Sequence, residues 1–142
     1  MSPPAEPAFV IDCSVIMAWC FEDEQDAYAE AVLNRLQRTA AIAPALWRLE
    51  AANALLVAER RGRITRTKAE REMNVLARLP IRDEMESLVR GLSPVASLAR
   101  AHRLSSYDAA YLELALRIGL PLATLDGASR TAAKSAGVKL FS

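Results

Sequence analysis

The chain has 142 residues, of which 52% are hydrophobic and 25% are charged, and its formal net charge at pH 7 is +1. This balance is typical of one globular domain with a sizeable core, and it excludes an intrinsically disordered chain and a polycation. Binding to nucleic acid would therefore depend on a local basic patch or on a bound cation.

The first half of the chain predicts short apolar strands that alternate with helices. The N-terminal residues are rich in proline and predict a flexible lead, Pro44 ends the second strand, and Gly62 ends a long helix. The lead covers residues 1–7. We expect strands at residues 9–11 and 41–43, and helices at residues 14–20 and 26–38. The long helix is expected at residues 45–61.

The second half continues this alternation, and its helix boundaries carry clear signals. Thr65 and either Ser105 or Ser106 are N-cap candidates, Gly119 is a helix stop, and Pro94 interrupts a helical region. We expect helices at residues 66–78, 86–103, 108–119 and 127–136, and strands at residues 81–83, 122–125 and 138–141. Because strands that are apolar throughout are buried on both faces, the pattern predicts an α/β fold with a helix-covered parallel sheet.

Other classes of protein do not fit the sequence. No apolar run approaches the ~18 residues of a membrane span, and the N-terminus lacks the features of a signal peptide. The chain has two cysteines, Cys13 and Cys20, and one histidine, His102, which are too few ligands for a thiolate zinc site. We therefore expect a cytoplasmic protein in which both cysteines are reduced and behave as small buried apolar residues.

Three aspartates lie where an open α/β sheet binds ligands. Asp12 and Asp126 each follow a predicted strand, and ligands of such sheets bind outside the carboxyl ends of the strands. Asp108 falls in the first turn of a predicted helix. Each residue also has an ordinary explanation, because aspartate is a good N-cap and complements the helix dipole in a first turn.

Glu50 is less easily explained as a structural residue. It lies within the predicted helix 45–61, which is apolar on all sides from residue 51 to residue 58 except at Asn53, and which is therefore predicted to be buried. A buried carboxylate is costly unless it is paired, hydrogen-bonded or bound to a metal. An ion pair with Arg48 or another arginine is the structural alternative.

If the four acids converge, their mutual repulsion must be neutralised, and a cation would do this. Ligands that are all oxygen select hard ions such as Mg²⁺ or Mn²⁺. Such a site activates water and stabilises displacement at a phosphodiester. The acids therefore favour metal-assisted phosphoryl hydrolysis.

The order of these motifs resembles a known family. Asp12-x-Ser14 follows a strand, a helix carries Glu50-x-x-Asn53, and the series ends with Ser105-x-x-Asp108-Ala109-x-Tyr111 and Thr124-Leu125-Asp126. Over residues 9–141 this resembles the PIN-domain ribonucleases, most closely the VapC-type toxins of bacterial type II toxin–antitoxin modules. The resemblance implies one PIN domain over residues 8–142, an α/β/α sandwich with a parallel sheet of about five short strands.

The resemblance also implies roles for individual residues. All four acids would be catalytic. Asp12, Asp108 and Asp126 would be the main ligands of Mg²⁺ or Mn²⁺, and Glu50 would hold a metal-bound water or a second ion. Ser14 and Thr124 would orient carboxylates, and Asn53 occupies a position that is often polar. Some relatives carry a further acid beyond the last motif, where this chain has Gly127, Ala128 and Ser129, so the number of ions stays open.

The implied substrate is RNA, such as tRNA or rRNA, and the implied partners are a VapB-type antitoxin and a second copy of the chain. The densest basic segment, residues 60–71, is either a solvated helix face or an RNA contact, while Arg130 and Lys134 follow Asp126 more closely. Three aromatic residues are either core or base-stacking residues, namely Trp19, Trp47 and Tyr107.

Two other functions compete with an endoribonuclease. A noncatalytic PIN-like domain that binds RNA or protein has no need of all four acids. A phosphotransfer domain is disfavoured, because phosphatases of the haloacid-dehalogenase type need an aspartate where Ser14 stands. A receiver domain needs paired acids by its first strand and a lysine after its last core strand, and neither is evident.

Overall fold

The computed structural model describes residues 5–142. Within them, the strands β1 to β4 are Pro7–Ile11, Ala40–Pro44, Ile81–Glu84 and Leu122–Ala123. The helices α1 to α8 are Cys13–Cys20, Ala27–Arg35, Trp47–Arg60, Arg66–Ala77, Glu86–Val89, Ala96–His102, Ser106–Ile118 and Gly127–Ala136. The strands form one parallel sheet in the order β3-β2-β1-β4, which confirms the predicted α/β fold.

The sheet has four strands in place of the predicted five or so. The last predicted strand, over residues 138–141, makes a single parallel bridge from Leu140 to Leu122 and does not extend into a strand. Phe141 nevertheless belongs to the core, because its ring stacks on Phe9 with 3.9 Å between the ring centroids. The segment is therefore held by this packing and by backbone hydrogen bonds that Leu122 makes with Lys139 and Phe141.

The central pair of strands positions the site. β1 is fully buried from Phe9 to Ile11, as expected for a strand covered on both faces. Ile11 lies opposite Ala123 of β4, and the N–H of Asp12 donates to the Ala123 carbonyl at 3.1 Å. Because the two strands are parallel and in this register, Asp12 and Thr124 leave the sheet side by side at its carboxyl edge.

Predicted helix boundaries are confirmed at several positions. Thr65 caps α4 by accepting from the Lys68 N–H at 3.1 Å, and Ser105 caps α7 by accepting from the Asp108 N–H at 3.0 Å. Gly119 ends α7 with a φ of 70°, a left-handed conformation that glycine adopts without strain.

The prediction that the long helix is buried on all sides is wrong. One face of α3 packs on the core through Trp47, Ala51, Leu55 and Ala58. On the other face Asn53 is exposed, Leu56 is 38% exposed and Leu49 is 76% exposed. Apolar residues on an outer face look the same in the sequence as buried ones, so the pattern overstated the burial of this helix.

Ion pairs hold α7 against the segment before it. Glu113 is buried and accepts from Arg90 Nε at 2.6 Å and from Arg117 Nε at 2.9 Å. Arg117 also lies 3.4 Å from a carboxylate oxygen of Glu84, at the end of β3. These contacts fix the helix that carries Asp108.

Two predictions concern the chain termini and membranes. The predicted flexible lead covers residues 1–7, of which residues 1–4 lie outside the described residues, while Pro7 already belongs to β1. Among residues 5–142, no helix combines the length and apolar character needed to cross a bilayer.

Candidate metal centre

Asp12 is the buried acid at the centre of the candidate site, with 4% of its surface exposed. It caps α1, because its Oδ1 accepts from the Ser14 N–H at 3.0 Å and also from the Ser14 hydroxyl. Ser14 Oγ accepts in turn from the Leu125 N–H at 2.9 Å. The Asp12 carboxylate is therefore tied through Ser14 to the chain that follows β4.

Asp126 has an equivalent place at the end of β4. Its Oδ2 accepts from the Ser129 N–H at 2.8 Å, which caps α8, and its own N–H donates to Thr124 Oγ1 at 3.0 Å. Thr124 Oγ1 lies 3.4 Å from Ser14 Oγ. The two hydroxyls, both expected to orient carboxylates, thus join the ends of β1 and β4 between the two aspartates.

Asp108 and Glu50 reach the site from helices. Asp108 is half-buried in the first turn of α7, and Glu50 is half-buried in the first turn of α3. Glu50 does not pair with Arg48, which donates from its Nε to Asp83 at 2.9 Å. Instead, Glu50 Oε1 accepts from the hydroxyl of Tyr111, a residue of α7 that is 2% exposed.

Charge repulsion links Asp12, Glu50 and Asp108, and it also links Asp108 to Asp126. Burial raises the pKa of Asp12 to about 6, against the lowering effect of the Ser14 and Thr124 hydroxyls, and Asp108 raises it further. Burial also raises the pKa of Asp108, and repulsion from Asp126 adds to this shift. For Glu50, burial raises the pKa, the Tyr111 hydroxyl lowers it, and Asp108 and Asp12 raise it again.

No lysine or arginine within the described residues forms an ion pair with these four acids. Every lysine or arginine ion pair found in residues 5–142 involves a different acid from these four. The donor atoms are all carboxylate oxygens, which is the ligand chemistry of hard divalent ions. The site therefore suits a cation in its charge and in its donor atoms.

The acids do not form a closed cage. In the part of the chain that the structure describes, no group of three or more His, Cys, Asp and Glu side chains is already arranged to hold a metal ion. Mg²⁺ commonly keeps several waters and is held directly by one or two carboxylates, so it does not need such a cage. A hydrated ion held directly by one or two of these carboxylates is compatible with this arrangement.

Other residues near the acids differ in their placement. Asn53, expected near Glu50, is exposed and makes no side-chain hydrogen bond within the described residues. Burial, followed by repulsion from Glu50 and Asp12, raises the pKa of the Cys13 thiol, so it stays neutral. Burial likewise raises the pKa of Cys20 to about 12. Neither thiol has the ionised form that a metal would bind.

The aromatic and basic candidates fall into residues with structural contacts and residues that are exposed. The indole N–H of Trp19 donates to the Ala29 carbonyl at 2.7 Å, and that of Trp47 donates to Asp83 at 2.8 Å, so both tryptophans are structural. Tyr107, in contrast, is exposed beside Asp108. Several basic residues between 60 and 71 pair with acids of their own helix or of a neighbouring loop, namely Arg63, Arg66 and Lys68. This pairing favours a solvated face for that segment.

Tyr111 is a site residue whose role the sequence did not reveal. It stands three residues after Asp108, so one helix supplies both an acid and the hydrogen bond that fixes another acid on α3. Burial and the neighbouring Glu50 carboxylate raise the pKa of Tyr111, which keeps its hydroxyl protonated as a donor. The sequence placed Tyr111 in the motif with Asp108, but nothing local indicated that its hydroxyl reaches Glu50.

The site lies in a chain whose sequence matches a known family. The family model for the PIN domain matches residues 9–134. The chain belongs to the PIN-domain family. Ribonuclease VapC3 of Pyrobaculum aerophilum is 32% identical over 117 residues, which span 82% of this chain and 88% of that protein. The predicted likeness to VapC-type PIN proteins is thereby confirmed.

Solved structures agree on the PIN fold. PAE2754 from Pyrobaculum aerophilum has a TM-score of 0.64 at 24% identity, over 89% of this chain and 86% of that one. FitAcB from Neisseria gonorrhoeae also has a TM-score of 0.64, at 18% identity, over 94% of this chain and 96% of that one. At these identities the structures bear on the fold alone.

Asp12→Asn is expected to stabilise the metal-free protein at neutral pH. Because the folded state raises the pKa of Asp12 from 3.8 to about 6, it binds the proton more tightly than the unfolded chain does. The free energy of unfolding therefore falls as the pH rises from about 4 to about 6, by roughly 3 kcal/mol at most. Asparagine carries no charge and still caps α1, so the variant avoids this fall.

Urea unfolding in EDTA, at about pH 4 and about pH 7.5, measures this difference. The variant should exceed the wild type at the higher pH and match it at the lower one. Asp26→Asn is the control for loss of a capping charge, because Asp26 caps α2 through the Ala29 N–H at 3.0 Å and, within the described residues, forms no hydrogen bond with the four acids. A variant less stable than the wild type at neutral pH would contradict the claim that the buried Asp12 charge destabilises the metal-free protein.

Tyr111→Phe is expected to weaken metal binding without unfolding the protein. The change keeps the buried ring and removes the hydroxyl that donates to Glu50. Partners that orient a ligand typically change metal affinity by roughly 10- to 100-fold. Calorimetric titration with Mn²⁺ measures the affinity, and Tyr107→Phe, at an exposed tyrosine, should leave it unchanged. Equal affinity for Tyr111→Phe and the wild type would assign Tyr111 a purely structural role.

Proposed function

We propose that the protein is a Mg²⁺- or Mn²⁺-dependent endoribonuclease of the VapC type, a hydrolase of RNA phosphodiester bonds in tRNA or rRNA. The observation that carries the proposal is the charge repulsion that links Asp12 and Glu50 to Asp108, and Asp108 to Asp126, with no ion pair to any of the four among the described residues. Holding such charges together lowers stability, so their presence is best explained by a bound cation. The similarity to Ribonuclease VapC3 supports RNA as the substrate.

The residues have distinct proposed roles. Asp12, Asp108 and Asp126 would hold the ion, and Glu50 would hold one of its waters or a second ion. Bound there, a divalent ion supplies charge neutralisation and an activated water for phosphodiester hydrolysis. Ser14 and Thr124 keep Asp12 and Asp126 in place through hydrogen bonds, and Tyr111 does the same for Glu50.

A noncatalytic PIN-like domain fits the site less well. Such a domain would need no acid as deeply buried as Asp12, whose carboxylate is held by Ser14 and repelled by Asp108. Asparagine would cap α1 equally well without a charge. The cost of keeping the aspartate therefore favours catalysis.

We further propose that the enzyme acts in the cytoplasm as a homodimer and is neutralised by a cognate VapB-type antitoxin. Apolar side chains on the surface support protein partners, because contiguous exposed apolar patches often mark interaction sites. Leu49 of α3 is exposed. Val89, the last residue of α5, is 84% exposed, and Leu92, which follows α5, is 96% exposed. The antitoxin would be a small protein that covers apolar surface near the acids.

Incubation of purified protein with total RNA tests the nuclease. We expect cleavage with Mg²⁺ or Mn²⁺, no cleavage in EDTA, and a loss of at least roughly 100-fold for Asp126→Asn. Asparagine preserves the cap of α8, so the loss would report on the carboxylate itself. Glu70→Gln, on the exposed outer face of α4, should cleave like the wild type. Cleavage that persists in EDTA, or equal cleavage by Asp126→Asn, would contradict the proposal.

A further inference from the structure

An RNA strand brings negative charge to a site that is itself negative. A divalent ion can hold one phosphate at the acids, but the neighbouring part of the backbone needs a cation from the protein. Six of the 15 arginines that the structure describes already pair with carboxylates. Those with carboxylate partners are Arg48, Arg63, Arg66, Arg82, Arg90 and Arg117.

Arg130 is placed differently. It lies one helical turn after Asp126, and its Nε donates to the carbonyl oxygen of Thr124 at 2.8 Å. Its guanidinium lies over the ring of Tyr28, 4.9 Å from the centroid. Thr124 is the same residue whose hydroxyl accepts from the Asp126 N–H and approaches Ser14. Arg130 is thus anchored directly to the link between the two strand-end aspartates.

These anchors leave the charge of Arg130 uncompensated. Both partners are neutral, and in residues 5–142 no carboxylate lies within ion-pair distance of its guanidinium. The carbonyl takes the Nε–H, so the two Nη groups stay available as donors. A guanidinium whose plane is fixed beforehand loses little freedom when it binds two phosphate oxygens.

We propose that Arg130 binds a backbone phosphate of the RNA, next to the phosphate that is cut. The ligand class is a phosphodiester of single-stranded RNA, held by the Nη donors. This inference rests on the proposed function, since it takes RNA as the substrate. The other basic residue of α8, Lys134, is exposed one turn further on and lacks such anchors, so it has no comparable role.

Binding of a fluorescein-labelled single-stranded RNA of about 12 nucleotides tests this role. Fluorescence anisotropy is measured at rising KCl in the Asp126→Asn background, which prevents cleavage. Adding Arg130→Gln should weaken binding by about 10-fold and reduce the slope of log K against log salt by about 0.7. Arg130→Lys should restore the slope and only part of the affinity, because it keeps the charge and loses the fork.

Lys134→Gln is the matched control and should change the slope much less than Arg130→Gln. Thermal melting of Arg130→Gln and Arg130→Lys shows whether either variant is destabilised. Recovery of the slope by Arg130→Lys then separates loss of the charge from a fold defect. An unchanged slope for Arg130→Gln, or an equal reduction for Lys134→Gln, would overturn the inference. Failure of the wild type to cleave RNA would overturn the proposed function instead, and the slope would still report on Arg130.

Discussion

Repulsion among carboxylates at the carboxyl edge of the sheet is the constraint on which the site depends. Burial alone disfavours the ionised form of Asp12, and the charge of Asp108 disfavours it further. The hydroxyls of Ser14 and Thr124 offset part of this effect, but within the described residues no lysine or arginine pairs with the four acids. The fold therefore keeps these carboxylates together without an ion pair to any of them.

The sheet makes this arrangement possible because it is rigid where the acids leave it. β1 and β4 are neighbours, they are buried, and their ends are joined by the Ser14 and Thr124 hydroxyls. Asp12 and Asp126 each start a helix by capping it, which fixes one oxygen of each carboxylate. The hydrogen bond from Tyr111 then draws Glu50 of α3 toward the start of α7.

The parts of this molecule that local chemistry determines were predictable from the sequence. Apolar runs predicted the strands, Thr65 and Ser105 predicted helix starts, and the placement of Asp12 and Asp126 after strands predicted an acid cluster. Long-range contacts were not predictable. The sequence carries no sign that Tyr111 donates to Glu50, 61 residues away in the chain, because that contact depends on how α7 lies beside α3. For the same reason, the outer face of α3 was mistaken for core at Leu56, which is 38% exposed.

Calorimetric titration of the metal-free wild-type protein with Mn²⁺ tests the proposed metal centre most directly. Binding of a hard cation is the step that would relieve the repulsion around Asp12, so we predict saturable binding at neutral pH. The same titration of folded Asp12→Asn should show this binding abolished or greatly weakened. Absence of binding to the wild type, or equal binding to Asp12→Asn, would contradict a metal centre built from these acids.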